Sequence, residues 1–326
     1  MDKVTNYVGI DISNDTFDVF NDKSGHEMFG NIIEGFKSFY KTLNSDSCCV
    51  MEATGCYHQK LAMFLYAKGV SVAVINPLVI KRFIQMKLQH TKTDKSDAMM
   101  IAQYAKEQSF ELWQPRPEYL DICKSMHSAI NLYFKQSTAL KNNLHSLEKK
   151  GLKAGKLARS LKRQLQNLKK EIELLEKEME QLIKIHEPEM FSNIASIPGI
   201  GKKTAMLLIT STNGFMDFSN YKQVSSYFGL APTERSSGSS IRGHSRISKT
   251  GNPKVRNHLF LCSFTACEHN AQCKALYERI VAKGKSKKLA LIAVTNKLIK
   301  QAFAIAKSGL MYDENYKSQR ILINYE

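Results

Sequence analysis

Hydrophobic and polar positions change their spacing about one third of the way along the chain. In the first part, five short apolar runs have the length and the β-branched or aromatic content of strands: residues 4–12, 16–20, 26–32, 48–52 and 70–75. Amphipathic helices are indicated for residues 33–43, 59–68 and 77–86, and a further helix begins near Asp94. The sequence therefore predicts an α/β domain at the amino-terminal end.

The order of these elements narrows the choice of fold. Three early strands, a helix and then alternating strands and helices match the ribonuclease H-like, or RuvC-like, order. In that fold Asp11 lies on the first, central strand and Glu52 at the end of the fourth strand. We predict such a domain over residues 1–115.

The middle of the chain has the pattern of long helices. One series of apolar positions alternates in steps of four and three, the spacing of a coiled-coil seam: Leu161, Leu165, Leu168, Ile172, Leu175, Met179 and Leu182. Gly151 and Gly155 interrupt the helical pattern. We predict a helical coiled-coil segment over residues 125–186, folded as a hairpin that turns at these glycines.

A second compact and mainly helical region is predicted over residues 190–310, followed by a polar tail over residues 311–326. It opens with Ile197-Pro-Gly-Ile-Gly201, and two glycines before a helix expose backbone N–H groups that can hold a phosphate. The segment resembles a helix-hairpin-helix, which binds the DNA backbone without sequence preference. A plain tight turn is the alternative.

Charge is divided unevenly along the chain, and this indicates nucleic acid as a partner. Residues 1–110 contain 12 basic and 12 acidic side chains, whereas residues 111–326 contain 35 basic and 18 acidic ones, which accounts for the net charge of +17. Residues 135–170 alone contain 11 basic side chains and one acid, and residues 171–189 contain seven acids and two lysines. A solvated coiled-coil face explains the acidic half, but the basic half repels itself unless an anion lies against it.

We predict that nucleic acid is bound by the basic side chains of the hairpin and of the region after it. These candidates are Lys149, Lys150, Lys153, Lys156, Arg159, Arg163, Lys202, Lys203, Arg242, Arg246, Lys249 and Arg256. Membrane and export signals are not expected, since no apolar run approaches the roughly 20 residues of a span and the first residues do not form the apolar core of a signal peptide. The seven cysteines have neither Cys-x-x-Cys nor zinc-finger spacing, so reduced thiols and a cytoplasmic location are expected.

Four acidic residues have the placement that a metal-dependent phosphodiester enzyme needs. Asp11 and Glu52 end hydrophobic runs of strand character, and Asp94 and Asp97 are three residues apart on one face of a helix. Carboxylates gathered in this way repel one another unless cations lie between them. Mg²⁺ prefers such oxygen ligands, and two ions roughly 4 Å apart can hold the attacking and leaving oxygens of a phosphoryl transfer.

A second unusual segment runs from Arg235 to Arg256. It has six basic residues and no acid, and five serines occur in its first eleven positions. A flexible linker is the plain interpretation. Alternatively, the small residues allow close approach to a phosphate backbone, and a serine acts as nucleophile. No general base is apparent beside it except His244, so both interpretations stay open at this point.

The motifs, taken in order, resemble one family. Asp11, Glu52 and Lys-Thr-Asp94-x-x-Asp97-Ala are followed by the helical middle and then by Ile-Pro-Gly-Ile-Gly201, Gly229-Leu-Ala-Pro232, Ser-Ser237-Gly and Ile247-Ser-Lys-x-Gly251-Asn-x-x-x-Arg256. Over residues 4–305 this series resembles the DEDD transposases of the insertion-sequence one-hundred-and-ten family, which is related to the Piv DNA invertases.

The resemblance implies an RNA-guided DNA recombinase. Asp11, Glu52, Asp94 and Asp97 would be the catalytic ligands of two Mg²⁺ ions, with Mn²⁺ as a substitute, and Ser237 would be the nucleophile that joins covalently to DNA. Ser236 and Ser239 are the alternatives to Ser237. The partners would be donor and target DNA, a non-coding bridge RNA that pairs with both, and further copies of the chain in a dimer to tetramer. Base pairing rather than side chains would then read the sequence.

Other classes of protein share parts of this pattern. A RuvC-like Holliday-junction resolvase or nuclease uses the same four acids with water as nucleophile, and needs no serine segment. A Piv-like invertase recombines DNA without RNA. A sugar-kinase-like ATPase also begins with a Gly-Ile-Asp strand, but it needs glycine-rich phosphate loops that this sequence lacks. A non-catalytic nucleic-acid-binding protein would keep its function after loss of the acids.

Overall fold

The computed structural model describes residues 6–88, 93–152, 155–233, 236–237, 241–242 and 246–316. The chain divides into two compact units, Met1–Pro115 and Arg116–Glu326.

The first unit is built on a five-stranded mixed sheet. Its strands are β1 Asn6–Ile12, β2 Thr16–Asn21, β3 Gly25–Gly30, β4 Ser47–Glu52 and β5 Ser71–Ile75, in the order β3-β2-β1-β4-β5. Strand β1 is central, antiparallel to β2 and parallel to β4. The helices are α1 Ile33–Tyr40, α2 His58–Ala67, α3 Pro77–Met86 and α4 Asp94–Glu107. The predicted strands and helices of this region are confirmed, and the mixed sheet fits an α/β ribonuclease H-like domain.

Helices cover both faces of this sheet, because its central strands carry buried apolar residues on both faces. One face buries Val8, Ile10 and Phe17 against α1 and α2. The other face lies under α4, and α4 also packs with α3. Asp11 and Gly9 are on the face that α4 covers, since side chains alternate along a strand.

The second unit begins with a long helical hairpin. Helix α5 spans Glu118–Lys149 and helix α6 spans Gly155–His186, each of 32 residues, and the two pack along each other. The chain leaves α5 through Gly151, which has a positive φ of 65°. Seam positions such as Ile172 and Met179 are buried, whereas Leu174 is 60% exposed. The hairpin is present as predicted, and the supercoiling of a coiled coil remains a prediction.

The rest of the second unit packs around one apolar core. Its helices are α7 Pro188–Ala195, α8 Lys202–Thr212, α9 Tyr221–Tyr227, α10 Pro253–His269, α11 Ala271–Ala282 and α12 Lys287–Ser308. Among the described helices, α12 alone has the length and composition of a membrane span. The sequence pattern predicts no segment with these properties. Helix α12 contacts α7, α9, α10 and α11, and Val294, Leu298 and Ile299 are fully buried, as in a core helix.

Four two-residue strands lie between α9 and α10. Strand β6 Pro232–Thr233 pairs with β9 Arg246–Ile247, and β7 Ser236–Ser237 pairs with β8 Ile241–Arg242. Part of the predicted polar tail is packed, because Tyr312 contacts the core and its N–H donates to Ser196 Oγ over 3.0 Å. The remainder of that tail, residues 317–326, lies outside the described residues.

Candidate active site and nucleic-acid surface

Strand register places two of the predicted carboxylates side by side. In the parallel pair of β1 and β4, Ile10 lies opposite Met51, so Asp11 and Glu52 are the next residues at the same end of both strands. In the antiparallel pair of β1 and β2, Asp11 lies opposite Asp18. The sheet thus brings Asp11 between two other acids.

The other two carboxylates lie in the first turn of α4. The helix begins at Asp94 because Thr93 caps it: Thr93 Oγ1 accepts from Ser96 N over 3.1 Å, and Ser96 Oγ accepts from Thr93 N over 2.9 Å. Asp94 and Asp97 therefore lie at the positive end of the helix dipole.

Gly9 allows α4 to lie directly on the central strand. A Cβ atom built at Gly9 would be 2.2 Å from Ala98 O and 2.3 Å from Ala102 N, both far inside van der Waals contact. Any side chain at this position would push the helix outward. The glycine two residues before Asp11 therefore sets how closely Asp97 and Ala98 approach the sheet.

The other three predicted carboxylates act electrostatically on Asp11. The pKa of Asp11 is raised from its ordinary 3.8 to about 6, mainly by burial and then by the charges of Asp97, Glu52, Asp94 and Asp18. Three of these four neighbours are the other predicted acids. The tertiary structure thus gathers into one region residues that are up to 86 positions apart in the sequence.

Asp18 is an acid that the sequence analysis missed. It is only 8% exposed, and its Oδ1 lies 2.7 Å from His26 Nε2 on the neighbouring strand β3. One signal in the sequence could have revealed it, since Asp18 stands between Phe17 and Val19 within an otherwise apolar run. Its buried position opposite Asp11 adds negative potential to the site.

The chemistry of the donor set fits a hard divalent cation. All four side chains offer carboxylate oxygens, and their crowding is relieved when a cation lies between them. Among the described residues, however, no three His, Cys, Asp or Glu side chains converge closely enough to hold a metal ion. A cation shared by three or more of these carboxylates would therefore require their side chains to turn toward one another.

The raised pKa of Asp11 predicts a stability change that depends on pH. Between about pH 4 and 6 the folded protein holds a proton that the unfolded chain releases, so the metal-free protein loses stability as the pH rises through this window. Asp11→Asn removes that penalty. We expect the metal-free variant to gain about 1 kcal/mol over wild type at pH 7, after allowance for solvent screening, and no gain near pH 4.

Thermal melts at both pH values, with and without Mg²⁺, measure this difference. Asp46→Asn is the matched control, because Asp46 lies directly before β4, at the end of that strand remote from Glu52. Mg²⁺ should raise the Tm of wild type and of the control more than that of Asp11→Asn. A stability gain in Asp11→Asn that is equal at pH 4 and pH 7 would show that burial of the charge is not its cause.

The described residues of the serine segment form two antiparallel ladders. Ser237 pairs with Ile241 and Ser236 pairs with Arg242. The side chains of these residues, and the whole of Ser239 and His244, lie outside the described part of the chain. The choice of Ser237 as nucleophile therefore remains a prediction.

The predicted nucleic-acid contacts fall into two groups. Those of the hairpin are exposed: Lys149, Lys150, Lys156, Arg159 and Arg163. Arg246 and Lys249 near the serine ladders are also exposed, whereas Lys153 and the side chain of Arg242 are outside the described residues.

The remaining candidates have partners within the protein. Lys202 Nζ lies 3.2 Å from Glu180 and Lys203 Nζ lies 2.7 Å from Glu176, both on the acidic half of α6. Arg256 donates to two backbone carbonyls, those of Phe228 and Gly251. A phosphate that contacts Lys202 or Lys203 would compete with these carboxylates for the ammonium group.

The two glycines in the loop before α8 differ in the space around them. Gly199 has a φ of 103°, and a Cβ atom there would lie 2.7 Å from Ala266 Cβ on α10. Gly201 caps α8, and a Cβ atom built there would have no atom from elsewhere in the described chain within 4 Å. The first glycine is explained by packing, and the second leaves the start of the helix accessible.

An α/β domain of ribonuclease H-like order, with acids gathered at the ends of its central strands, defines a nuclease- or recombinase-like class of protein. Two family models match the chain and specify the class further. A transposase model of DEDD IS110 type matches residues 8–149, and a model described as the transposase IS116/IS110/IS902 family matches residues 192–278. The chain belongs to the IS110 family of transposases, as its motifs predicted. It is an enzyme of DNA strand cleavage and transfer.

Known proteins resemble the chain, some over most of their length and one over a part of it. The pilin gene-inverting protein of Moraxella bovis is 29% identical over 330 residues, which cover 94% of this chain and 98% of that protein. The transposase for insertion sequence element IS1111A of Coxiella burnetii is 24% identical, over 89% of this chain and 86% of its own. An insertion element IS110 protein of Streptomyces coelicolor is 32% identical over 120 residues, 37% of this chain and 29% of that protein. DEDD transposases typically use divalent metal ions.

Proposed function

We propose that the protein is the recombinase of an insertion sequence, guided by a bridge RNA, which cleaves and joins DNA with Mg²⁺ and a serine nucleophile. The observation that supports this most is the electrostatic grouping of Asp97, Glu52 and Asp94 around Asp11 in a chain of the IS110 family. A phosphodiester enzyme with two metal ions needs such a set of oxygen ligands.

In the proposed cleavage step, the Ser237 hydroxyl attacks the phosphorus of the scissile phosphodiester. A serine–phosphate ester forms, the bond to one sugar oxygen breaks, and that oxygen leaves as a hydroxyl after it takes up a proton, while the serine loses one. In the joining step a sugar hydroxyl of another strand attacks the ester and releases the serine. Cations held by Asp11, Glu52, Asp94 and Asp97 would polarise the phosphate and stabilise negative charge on its oxygens.

The division of charge supports separate roles for the two units. The first unit has 12 basic and 13 acidic side chains and carries the proposed metal ligands, whereas the second carries the basic excess and the serine ladders. We assign RNA and DNA backbone contact to the exposed lysines and arginines of the hairpin, where ten excess positive charges over residues 135–170 need a counter-charge. We further propose a dimer to tetramer, in which the carboxylates of one protomer act with Ser237 of another.

Ser237→Ala tests the serine mechanism. We expect the variant to lose the covalent protein–DNA adduct completely, because alanine has no oxygen to form the ester, while binding of nucleic acid and of Mg²⁺ stays at wild-type strength. The adduct is measured as a slower-migrating band on a denaturing gel with end-labelled DNA.

Ser236→Ala and Ser239→Ala are the matched controls, since each removes one hydroxyl from the same segment. Both should retain the adduct. Loss of the adduct in one of these variants but not in Ser237→Ala would move the nucleophile to that position. Cleavage by wild type without any adduct would instead support water as nucleophile, as in a RuvC-like nuclease.

DNA inversion without RNA is a second candidate function. It is favoured by the similarity to the Moraxella pilin gene-inverting protein, which extends over nearly the whole of both chains. Sequencing the RNA that copurifies with the protein separates the two functions. Structured RNA encoded beside the gene supports guidance, whereas recombination by protein freed of RNA supports the invertase.

A further inference from the structure

Arg256 occupies a position that differs from that of a surface phosphate contact. It lies in the first turn of α10 and is partly buried. Its Nη1 donates to Phe228 O over 3.0 Å and to Gly251 O over 3.1 Å. One carbonyl precedes the serine ladders and the other follows them, so a single guanidinium nitrogen joins the two ends of the segment that carries Ser237.

The two ends cross too closely for side chains. A Cβ atom at Gly229 would lie 2.1 Å from Thr250 O and 2.9 Å from Arg256 Nη1, and one at Gly251 would lie 2.1 Å from Tyr227 O. Both glycines have positive φ values, 69° and 114°. Small residues in left-handed conformations are required here because two backbones pass in contact.

Backbone hydrogen bonds continue from this crossing toward the ladders. Lys249 N donates to Gly229 O over 3.1 Å, and Ser248 N donates to Ala231 O over 2.9 Å. Thr233 Oγ1 then donates to Arg246 O over 2.8 Å, beside the β6–β9 pair. We call residues 229–251 the serine arm and the crossing with these hydrogen bonds its base.

The arm is fixed to the rest of the unit on both sides of the crossing. Phe228 and Leu230 are buried, and Asn296 Nδ2 of α12 donates to Leu230 O over 3.3 Å. Asn252 caps α10 by accepting from Lys254 N over 2.9 Å, so the helix that carries Arg256 starts directly after the arm ends. A rigid helix therefore presents the guanidinium to the base of the arm.

We propose that Arg256 is a positioning residue: it clamps the base of the serine arm and thereby sets where the nucleophilic serine is held, in place of the nucleic-acid contact that its charge predicts. This inference rests on the proposed function insofar as Ser237 is the nucleophile. The clamp itself is independent of the chemistry. A charged donor that bridges two carbonyls holds the two ends of a segment together, and charge makes such hydrogen bonds stronger than neutral ones.

Hydrogen–deuterium exchange on Arg256→Gln tests the clamp directly. Exchange at the amides of Ser248 and Lys249 should become about tenfold faster, because the base opens more often. Arg246→Gln is the matched control, since Arg246 is an exposed arginine on the same arm. In Arg246→Gln the amides of the base should exchange at the wild-type rate. The slope of its nucleic-acid affinity against salt concentration should fall by the amount expected for the loss of about one phosphate contact.

The adduct assay then tests the positioning role. With nucleic acid at saturation, Arg256→Gln should form the covalent adduct about a hundredfold more slowly, since a misplacement of about 1 Å costs that much. Its salt dependence of binding should equal that of wild type. Arg256→Lys keeps the charge but ends one bond shorter and lacks the planar fork, so it should restore neither the exchange protection nor the adduct rate in full.

Each contrary result has a distinct meaning. A reduced salt dependence with normal exchange in Arg256→Gln, restored by Arg256→Lys, would make Arg256 a phosphate contact and overturn the proposal. Fast exchange with a normal adduct rate would overturn the positioning role. If Arg256→Gln shows no cooperative thermal transition and is therefore not folded, the same exchange and adduct measurements are made on Arg256→Lys and compared with wild type. Failure of Ser237 as nucleophile would appear separately, as an adduct that persists in Ser237→Ala.

Discussion

Replacing Asp94 by Asn is expected to abolish DNA strand cleavage and exchange while nucleic-acid binding stays at wild-type strength. Asp94 is the first residue of α4, is exposed, and contributes negative charge at Asp11. Asn keeps the size and shape of Asp but offers a neutral, weaker ligand. Because metal ions supply several kcal/mol of transition-state stabilisation, we expect the rate to fall about a thousandfold or more.

Cleavage of labelled DNA, with binding measured separately by titration, checks this result. Asp46→Asn makes the same chemical change in the same unit, at the end of β4 remote from Glu52, and should leave cleavage unchanged. A fully active Asp94→Asn would remove this residue from the metal site and would favour a non-catalytic role for the acids. Excess Mn²⁺ should restore part of the activity if the defect is in metal affinity.

Gly9→Ala is expected to have the second largest effect, through the position of α4. The added methyl group would lie 2.2 Å from Ala98 O and 2.3 Å from Ala102 N, and neither atom can rotate away because both belong to the helix backbone. The helix must therefore move outward by about 1 Å, which costs about 3 kcal/mol when the surrounding core is well packed. Asp94 and Asp97 would move with it, away from Asp11.

The variant should melt at a lower temperature, and the fraction that folds should bind Mg²⁺ or Mn²⁺ more weakly than wild type. Gly30→Ala is the matched control in the same unit, because a Cβ atom there would make only ordinary contacts with the Ile32 side chain. Its stability should lie within about 0.5 kcal/mol of wild type. A Gly9→Ala protein with normal stability and metal affinity would show that α4 does not depend on this close approach.

The secondary structure of the first unit could be predicted because it is encoded locally. Alternating apolar residues mark the strands, and the Thr93 cap marks the start of α4. The four acids could be chosen because each stands at the end of such an element. Their grouping followed only from the assumed order of strands, which the register of β1 with β4 confirms.

Other parts of the site could not be predicted from local patterns. The pairing of Asp18 with His26 depends on which strands are neighbours, and the pairing of Lys203 with Glu176 depends on where the start of α8 meets α6. In a count of basic residues, Arg256 is equivalent to Arg246. Only the fold distinguishes a guanidinium that bridges two carbonyls from one that is exposed.

The sequence by itself determined the elements, the set of acids, the uneven charge and, through its motifs, the family. These depend on residue type and on spacing along the chain, which a helix or strand converts directly into a face or an end. Tertiary structure decided which charges meet, how closely α4 lies on Gly9, and which arginine holds the serine arm. These depend on contacts between distant segments, where a shift of about 1 Å separates a hydrogen bond from no interaction.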